Sequence, residues 1–136
     1  MHVGGLSAIV VDDELDLLVL YSAFLRQQGF TVTTATTANE ALLKVQDETF
    51  DLMLADVHLP VMSGLVLTQA ARKISPGTFI VVMTFRSDVT EEIVKELGAH
   101  AFFDKAVGLD GLRQILLTSS ESSGFADLAR SKLLRN

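Results

Sequence analysis

Five short runs rich in apolar residues, each followed within a few residues by a stretch of helical spacing, constrain this chain more than any other feature. They are Leu6 to Val11, Phe30 to Ala35, Phe50 to Asp56, Phe79 to Thr84 and Ala101 to Lys105. Most are near-continuous blocks of Val, Ile, Leu, Met, Ala and Phe, the pattern of parallel strands covered on both faces. The run Phe30-Thr-Val-Thr-Thr-Ala35 is β-branched with a partly polar face and suits an edge. Strands alternating with helices through short connections predict an α/β domain, a doubly wound five-stranded parallel sheet with helices on both faces. At 136 residues there is material for one such core and not for two. The simplest arrangement is the flavodoxin-like strand order 2-1-3-4-5.

The helical segments carry their own stop and start signals. From Glu14 to Gln28, Leu15, Leu18, Ser22 and Leu25 lie on one face and Leu17, Leu20, Tyr21 and Phe24 on another, and Gly29 closes the helix. Neighbouring helices are expected to cover the second stripe; a homodimer surface is the alternative. Thr37 and Glu40 form a capping box for a helix running to about Asp47. Leu65, Leu67, Thr68, Ala71 and Ile74 mark a third helix, ended by Ser75-Pro76-Gly77. Asp88 is expected to cap a fourth, with Val89, Ile93, Val94 and Leu97 buried and Gly98 as its stop. Leu109, Leu112, Ile115 and Leu116 mark the fifth. The domain is expected to span residues 1–118, and 119–136 reads as a linker-like tail whose weak amphipathic pattern suits a short helix.

Composition excludes several classes. A net charge of −6 argues against nucleic-acid binding through a basic surface. The absence of Cys removes disulfide and thiolate chemistry and fits a cytoplasmic location. The start Met-His-Val-Gly-Gly lacks the features of a signal peptide, and no uncharged apolar stretch is long enough to span a membrane. Asp12, Asp13, Glu14 and Asp16 concentrate negative charge locally, which makes a candidate cation site.

Ligands of open α/β sheets bind at the C-terminal ends of the strands. Taken alone, Asp56 before its Pro- and Gly-containing turn reads most simply as a helix cap. The predicted strand order, however, gathers Asp12, Asp13, Asp56, Thr84 and Lys105 at one sheet edge. Three crowded carboxylates either protonate or hold a cation, and hard oxygen donors without His or Cys suit Mg²⁺ or Mn²⁺ better than zinc. Lys105 and the Thr84 hydroxyl approach from the other side, leaving one carboxylate to attack phosphorus. The chemistry predicted is phosphoryl transfer to an aspartate. His58 and His100, as lone loop histidines, are expected to be solvated, and Phe102 and Phe103 to be core aromatics.

The Asp12-Asp13 pair after the first strand, Asp56 followed by Leu59-Pro60-x-Met62-Ser63-Gly64, Thr84 after the fourth strand, and Lys105 preceded by Phe102 resemble the receiver domain of two-component response regulators. The resemblance covers about residues 6 to 118 and implies a CheY-like fold. It implies that Asp56 is the phospho-acceptor, supplied by a sensor histidine kinase or phosphotransfer protein. Mg²⁺ would be bound by Asp13, Asp56 and the backbone carbonyl of His58, with Asp12 acting through a water ligand. Lys105 would pair with the phosphoryl group, Thr84 would move towards it and Phe102 would turn inward. The surface of the fourth helix, fifth strand and fifth helix would change, addressing a downstream protein target or an attached output domain. Such a domain is not an enzyme with a separate substrate, although it catalyses its own phosphorylation and dephosphorylation.

Competing readings are an Mg²⁺-dependent aspartyl-phosphate phosphatase, a non-phosphorylated interaction module and, on fold grounds alone, a flavin-binding protein. The phosphatase wants a second acid two residues after its nucleophile, where this chain has His58. Two departures from the family pattern carry expectations. Ala106 stands where proline follows the lysine, so the Lys105–Ala106 peptide should be trans. Phe85 follows the threonine where a small residue is common, and should crowd the pocket and slow small phosphodonors.

Overall fold

The computed structural model describes residues 5–118; the linker-like tail expected at 119–136 lies outside them. The elements are β1 (Leu6–Val11), α1 (Leu15–Gln27), β2 (Phe30–Ala35), α2 (Ala38–Asp47), β3 (Leu52–Asp56), α3 (Gly64–Ile74), β4 (Phe79–Thr84), α4 (Glu91–Glu96), β5 (Ala101–Asp104) and α5 (Leu109–Thr118). Every strand pair is parallel, and the order is β2-β1-β3-β4-β5. Both match the expectation from the alternation of runs.

Strand side chains alternate between two cores, as the pleat requires. On one face Ala8, Val10, Leu52, Leu54, Val81 and Met83 meet α1 and α5 through Leu18, Tyr21, Leu25, Leu112 and Leu116. On the other, Ile9, Val11, Met53, Ala55, Ile80 and Val82 meet α2, α3 and α4 through Ala41, Val45, Leu67, Ala71 and Val94. The edge strand β2 is buried only at its ends. Along α1 both predicted stripes contribute to the core, but Leu15, Val19 and Leu20 remain exposed, so the cover is incomplete.

Local signals hold with two adjustments. Thr37 caps α2 by accepting from Glu40 N–H at 3.1 Å, and Glu40 reaches back to Thr36 N–H at 2.9 Å. Gly29 and Gly98 end their helices at φ of 103° and 114°, where a Cβ would be strained. The cap of α4 is Thr90, whose hydroxyl accepts from Ile93 N–H at 3.2 Å; Asp88 does not cap it. The last strand stops at Asp104, and Lys105 opens a 3-10 turn, Lys105–Val107, instead of ending the strand. Among the described residues no peptide bond is cis, so Lys105–Ala106 is trans as expected. The Ala106 N–H, which a proline would lack, donates to Asp104 Oδ1 at 2.9 Å.

Candidate active site at the strand C-termini

Register brings the predicted residues together. Val11 pairs with Ala55, so Asp12 and Asp56 leave their strands in step. Asp56 pairs with Met83 and Met83 with Phe103, which puts Thr84 one residue and Lys105 two residues further along on the neighbouring chain segments. Gly64 completes the seat. A Cβ there would collide with the Asp56 carbonyl, so only glycine lets α3 begin against the end of β3, where Gly64 N–H donates to Val57 C=O at 2.8 Å.

At the centre lies a buried ammonium between two carboxylates. Lys105 Nζ donates to Asp12 Oδ2 at 2.8 Å and to Asp56 Oδ2 at 3.0 Å, and lies 3.8 Å from Glu14 Oε1. The remaining oxygens accept backbone protons: Asp12 Oδ1 from Glu14 N–H at 2.9 Å, Asp56 Oδ1 from His58 N–H at 3.0 Å. Burial pushes the Asp12 carboxyl above its ordinary value, against the opposing bonds from Lys105 and Glu14 N–H. Burial alone would lower the Lys105 ammonium, but its bonds to the two aspartates outweigh that and hold it above its ordinary value.

Asp13 is exposed and lines the opening. Asp12, Asp13 and Asp56 each offer a carboxylate oxygen, and these three atoms lie within 4.8 Å of one another. Three hard oxygen donors at that spacing fit a divalent cation of the magnesium or calcium type. Above them is a cleft of about 280 Å³ lined by Asp13, Asp56, His58, Thr84, Phe85 and Arg86. Phe85 forms part of its wall, half exposed, with its ring centroid 5.1 Å from Lys105 Nζ.

Three side chains depart from expectation. His58 is not simply solvated: its Nδ1 lies 3.0 Å from Thr84 Oγ1 and its Nε2 3.5 Å from Asp88 Oδ1. Nor is His100, whose Nδ1 accepts from Ile80 N–H at 2.9 Å while its ring stacks on Phe79. Phe103 is a core aromatic packed edge-on against Tyr21, whereas Phe102 is half-buried against the other core. Sequence reasoning missed Arg86, which lies in the cleft wall and pairs with Asp88 at 3.3 Å. Its one signal is a charge two residues beyond the strand-end threonine.

Comparison with known proteins points to one family and one fold. The family profile for the response regulator receiver domain matches residues 8–117. The transcriptional regulatory protein ZraR of Salmonella typhimurium is 32% identical over 115 residues, covering 83% of this chain and 26% of the relative. A CpxR homolog of Haemophilus influenzae is 34% identical over 91 residues, 67% of this chain and 40% of its own length. The chain thus spans about a quarter of the length of the ZraR relatives it matches. Among solved structures, a CheY-like receiver domain protein from Methanospirillum hungatei superposes with a TM-score of 0.77 at 27% identity, covering 97% of this chain and 99% of the other. The response regulator TrrA of Thermotoga maritima, solved in complex with Mg²⁺-BeF, gives 0.72 at 28% identity over 79% of this chain and 93% of its own. Among the described residues no helix is long and apolar enough to cross a membrane.

Proposed function

The chain belongs to the response regulator receiver domain family, and from that membership we propose that Asp56 accepts a phosphoryl group from a histidine of a sensor kinase or phosphotransfer protein, in an Mg²⁺-dependent reaction. The observation that carries this reading is the buried Lys105 bridging Asp12 and Asp56 beside an open Asp13. The similarity to TrrA, solved with Mg²⁺-BeF, supports the ion and the phosphoryl position.

In the step itself an Asp56 carboxylate oxygen attacks phosphorus. The P–O bond forms as the P–N bond to the donor imidazole breaks, and the freed imidazole takes up a proton. Asp13, Asp56 and the His58 carbonyl would hold Mg²⁺, with Asp12 acting through water; a bound divalent cation supplies charge neutralisation at the phosphoryl oxygens. Lys105 keeps its bond to Asp12 and exchanges its bond to Asp56 for one to the phosphoryl group. The Thr84 hydroxyl turns to the same group, and Phe102, already half-buried, moves into the space vacated. The surface of α4, β5 and α5 then changes towards a downstream target or an attached output domain, in keeping with relatives that are transcriptional regulators.

The phosphatase reading lacks its second acid, because the residue two after Asp56 is His58, engaged with Thr84. Mass spectrometry after incubation with Mg²⁺ and acetyl phosphate tests the proposal. One phosphoryl group per chain is expected on the wild type and none on Asp56→Asn. Equal labelling of the variant would refute it, and multiple turnover of phosphate monoesters would favour the phosphatase.

A further inference from the structure

The loops after β3 and β4 are tied together across the cleft by four polar contacts that return to their starting point. Thr84 Oγ1 accepts from Arg86 N–H at 3.0 Å and also lies 3.0 Å from His58 Nδ1. His58 Nε2 faces the acceptor-only carboxylate of Asp88 at 3.5 Å, which places the imidazole proton on Nε2 and leaves Nδ1 to accept from the Thr84 hydroxyl. Asp88 Oδ2 in turn lies 3.3 Å from the Arg86 guanidinium. Thr84 is buried, the His58 side chain is 28% exposed and that of Asp88 52%, so the ring runs from the core to the surface.

A hydroxyl has one proton. Donation to the His58 imidazole and donation to a phosphoryl oxygen on Asp56 are mutually exclusive. We propose that His58, braced by Asp88, is a positioning residue that withholds the Thr84 hydroxyl from the phosphoryl site, so that the strength of this contact sets how readily the domain switches. The inference rests on the reading of the site given above, and adds to it a residue whose side chain makes no bond to Lys105, Asp12, Asp13 or Asp56 among the described contacts. Arg86 contributes from both ends: its amide occupies a lone pair of Thr84, and its guanidinium holds Asp88 where it meets the imidazole. A simple structural brace would stabilise the loops without distinguishing phosphorylated from unphosphorylated states; a hold on the Thr84 proton must distinguish them.

The test is a double-mutant cycle read by affinity for beryllofluoride at saturating Mg²⁺, measured calorimetrically. The four proteins are wild type, His58→Phe, Thr84→Val and the double variant. Phe keeps an aromatic ring at the position, slightly larger than imidazole, and removes the acceptor. Loss of one competing hydrogen bond corresponds to about fivefold tighter binding in His58→Phe. In the Thr84→Val background the same substitution should change affinity by less than about twofold, since no hydroxyl remains to be released. Asp88→Ala, at an exposed position where folding is not at stake, should tighten binding in the same direction by a smaller factor. Equal affinity in wild type and His58→Phe, or the same tightening with and without the Thr84 hydroxyl, would overturn the inference alone. Absence of any beryllofluoride response in all the proteins, or an undiminished response in Asp56→Asn, would overturn the reading of the site and this inference with it.

Discussion

Val61 has a φ of 69°, the single positive value among non-glycine residues described, and its side chain is fully exposed. Met62 N–H donates back to Pro60 C=O at 2.8 Å, closing a three-residue turn centred on Val61. A β-branched residue is strained there, and no burial compensates it. Val61→Gly should therefore stabilise the domain by about 1 kcal/mol, seen as a rise in melting temperature of about 5 °C. The expectation that Phe85 crowds the pocket now has a geometry: the ring stands in the cleft wall beside Lys105. Phe85→Ala should speed acetyl phosphate labelling of Asp56 several-fold; unchanged labelling and dephosphorylation rates would show that the ring does not restrict access. Neither residue's environment is written in its neighbours. The Leu-Pro-x-Met-Ser-Gly pattern marks a turn without saying which backbone region its variable residue adopts, and the approach of Phe85 to Lys105 joins positions just beyond the ends of two different strands.

At the scale of elements, α4 shows how a local signal loses to a tertiary one. Asp88 and Thr90 are both acceptable caps by residue type. Asp88 is drawn instead to Arg86 and His58, and the helix begins two residues later, at Glu91 behind Thr90. With six residues, α4 has few internal hydrogen bonds to hold it. Thr90→Ala should cost about 1 kcal/mol, and hydrogen exchange should report the loss as faster opening of α4 while the central strands stay protected. Elements whose signals are periodic were legible throughout: all five strands and five helices stand where spacing predicts, and no boundary moves by more than two residues. The fourth helix, where of the expected buried face Val94 alone is buried and Ile93 is exposed, is where the boundary moved for a nameable reason.

For the molecule as a whole, the buried charges link stability to pH. The Lys105 pKa in the folded state lies above its ordinary value of 10.5 despite burial, because Asp12 and Asp56 bind the ammonium. A raised folded pKa means that the group's contribution is fully present below 10.5 and is lost as pH climbs through the folded value. Lys105→Met leaves two buried carboxylates without their cation and should destabilise the metal-free protein by about 3 kcal/mol at neutral pH. The gap between variant and wild type should narrow in alkaline denaturation experiments above pH 10.5, where the wild type loses the same charge. A constant gap across that range would mean that Lys105 acts through packing.

What the sequence by itself determined was the frame and the inventory of the site. Continuous apolar runs, each ending in Asp, Thr or near Lys, specify buried parallel strands, and the strand order then gathers those end groups at one edge. That inference needs only backbone periodicity and the pairing of adjacent strands, both of which are local or topological. What the tertiary structure alone decided was how the end groups divide their bonds. Lys105 reaches Asp12 and Asp56 across 93 and 49 residues, and His58 reaches Thr84 across 26, through loop paths that set which donor arrives first. A hydroxyl or an ammonium has a fixed number of protons, so the partner that takes each one depends on ångström-scale positions that no pattern of residue types encodes.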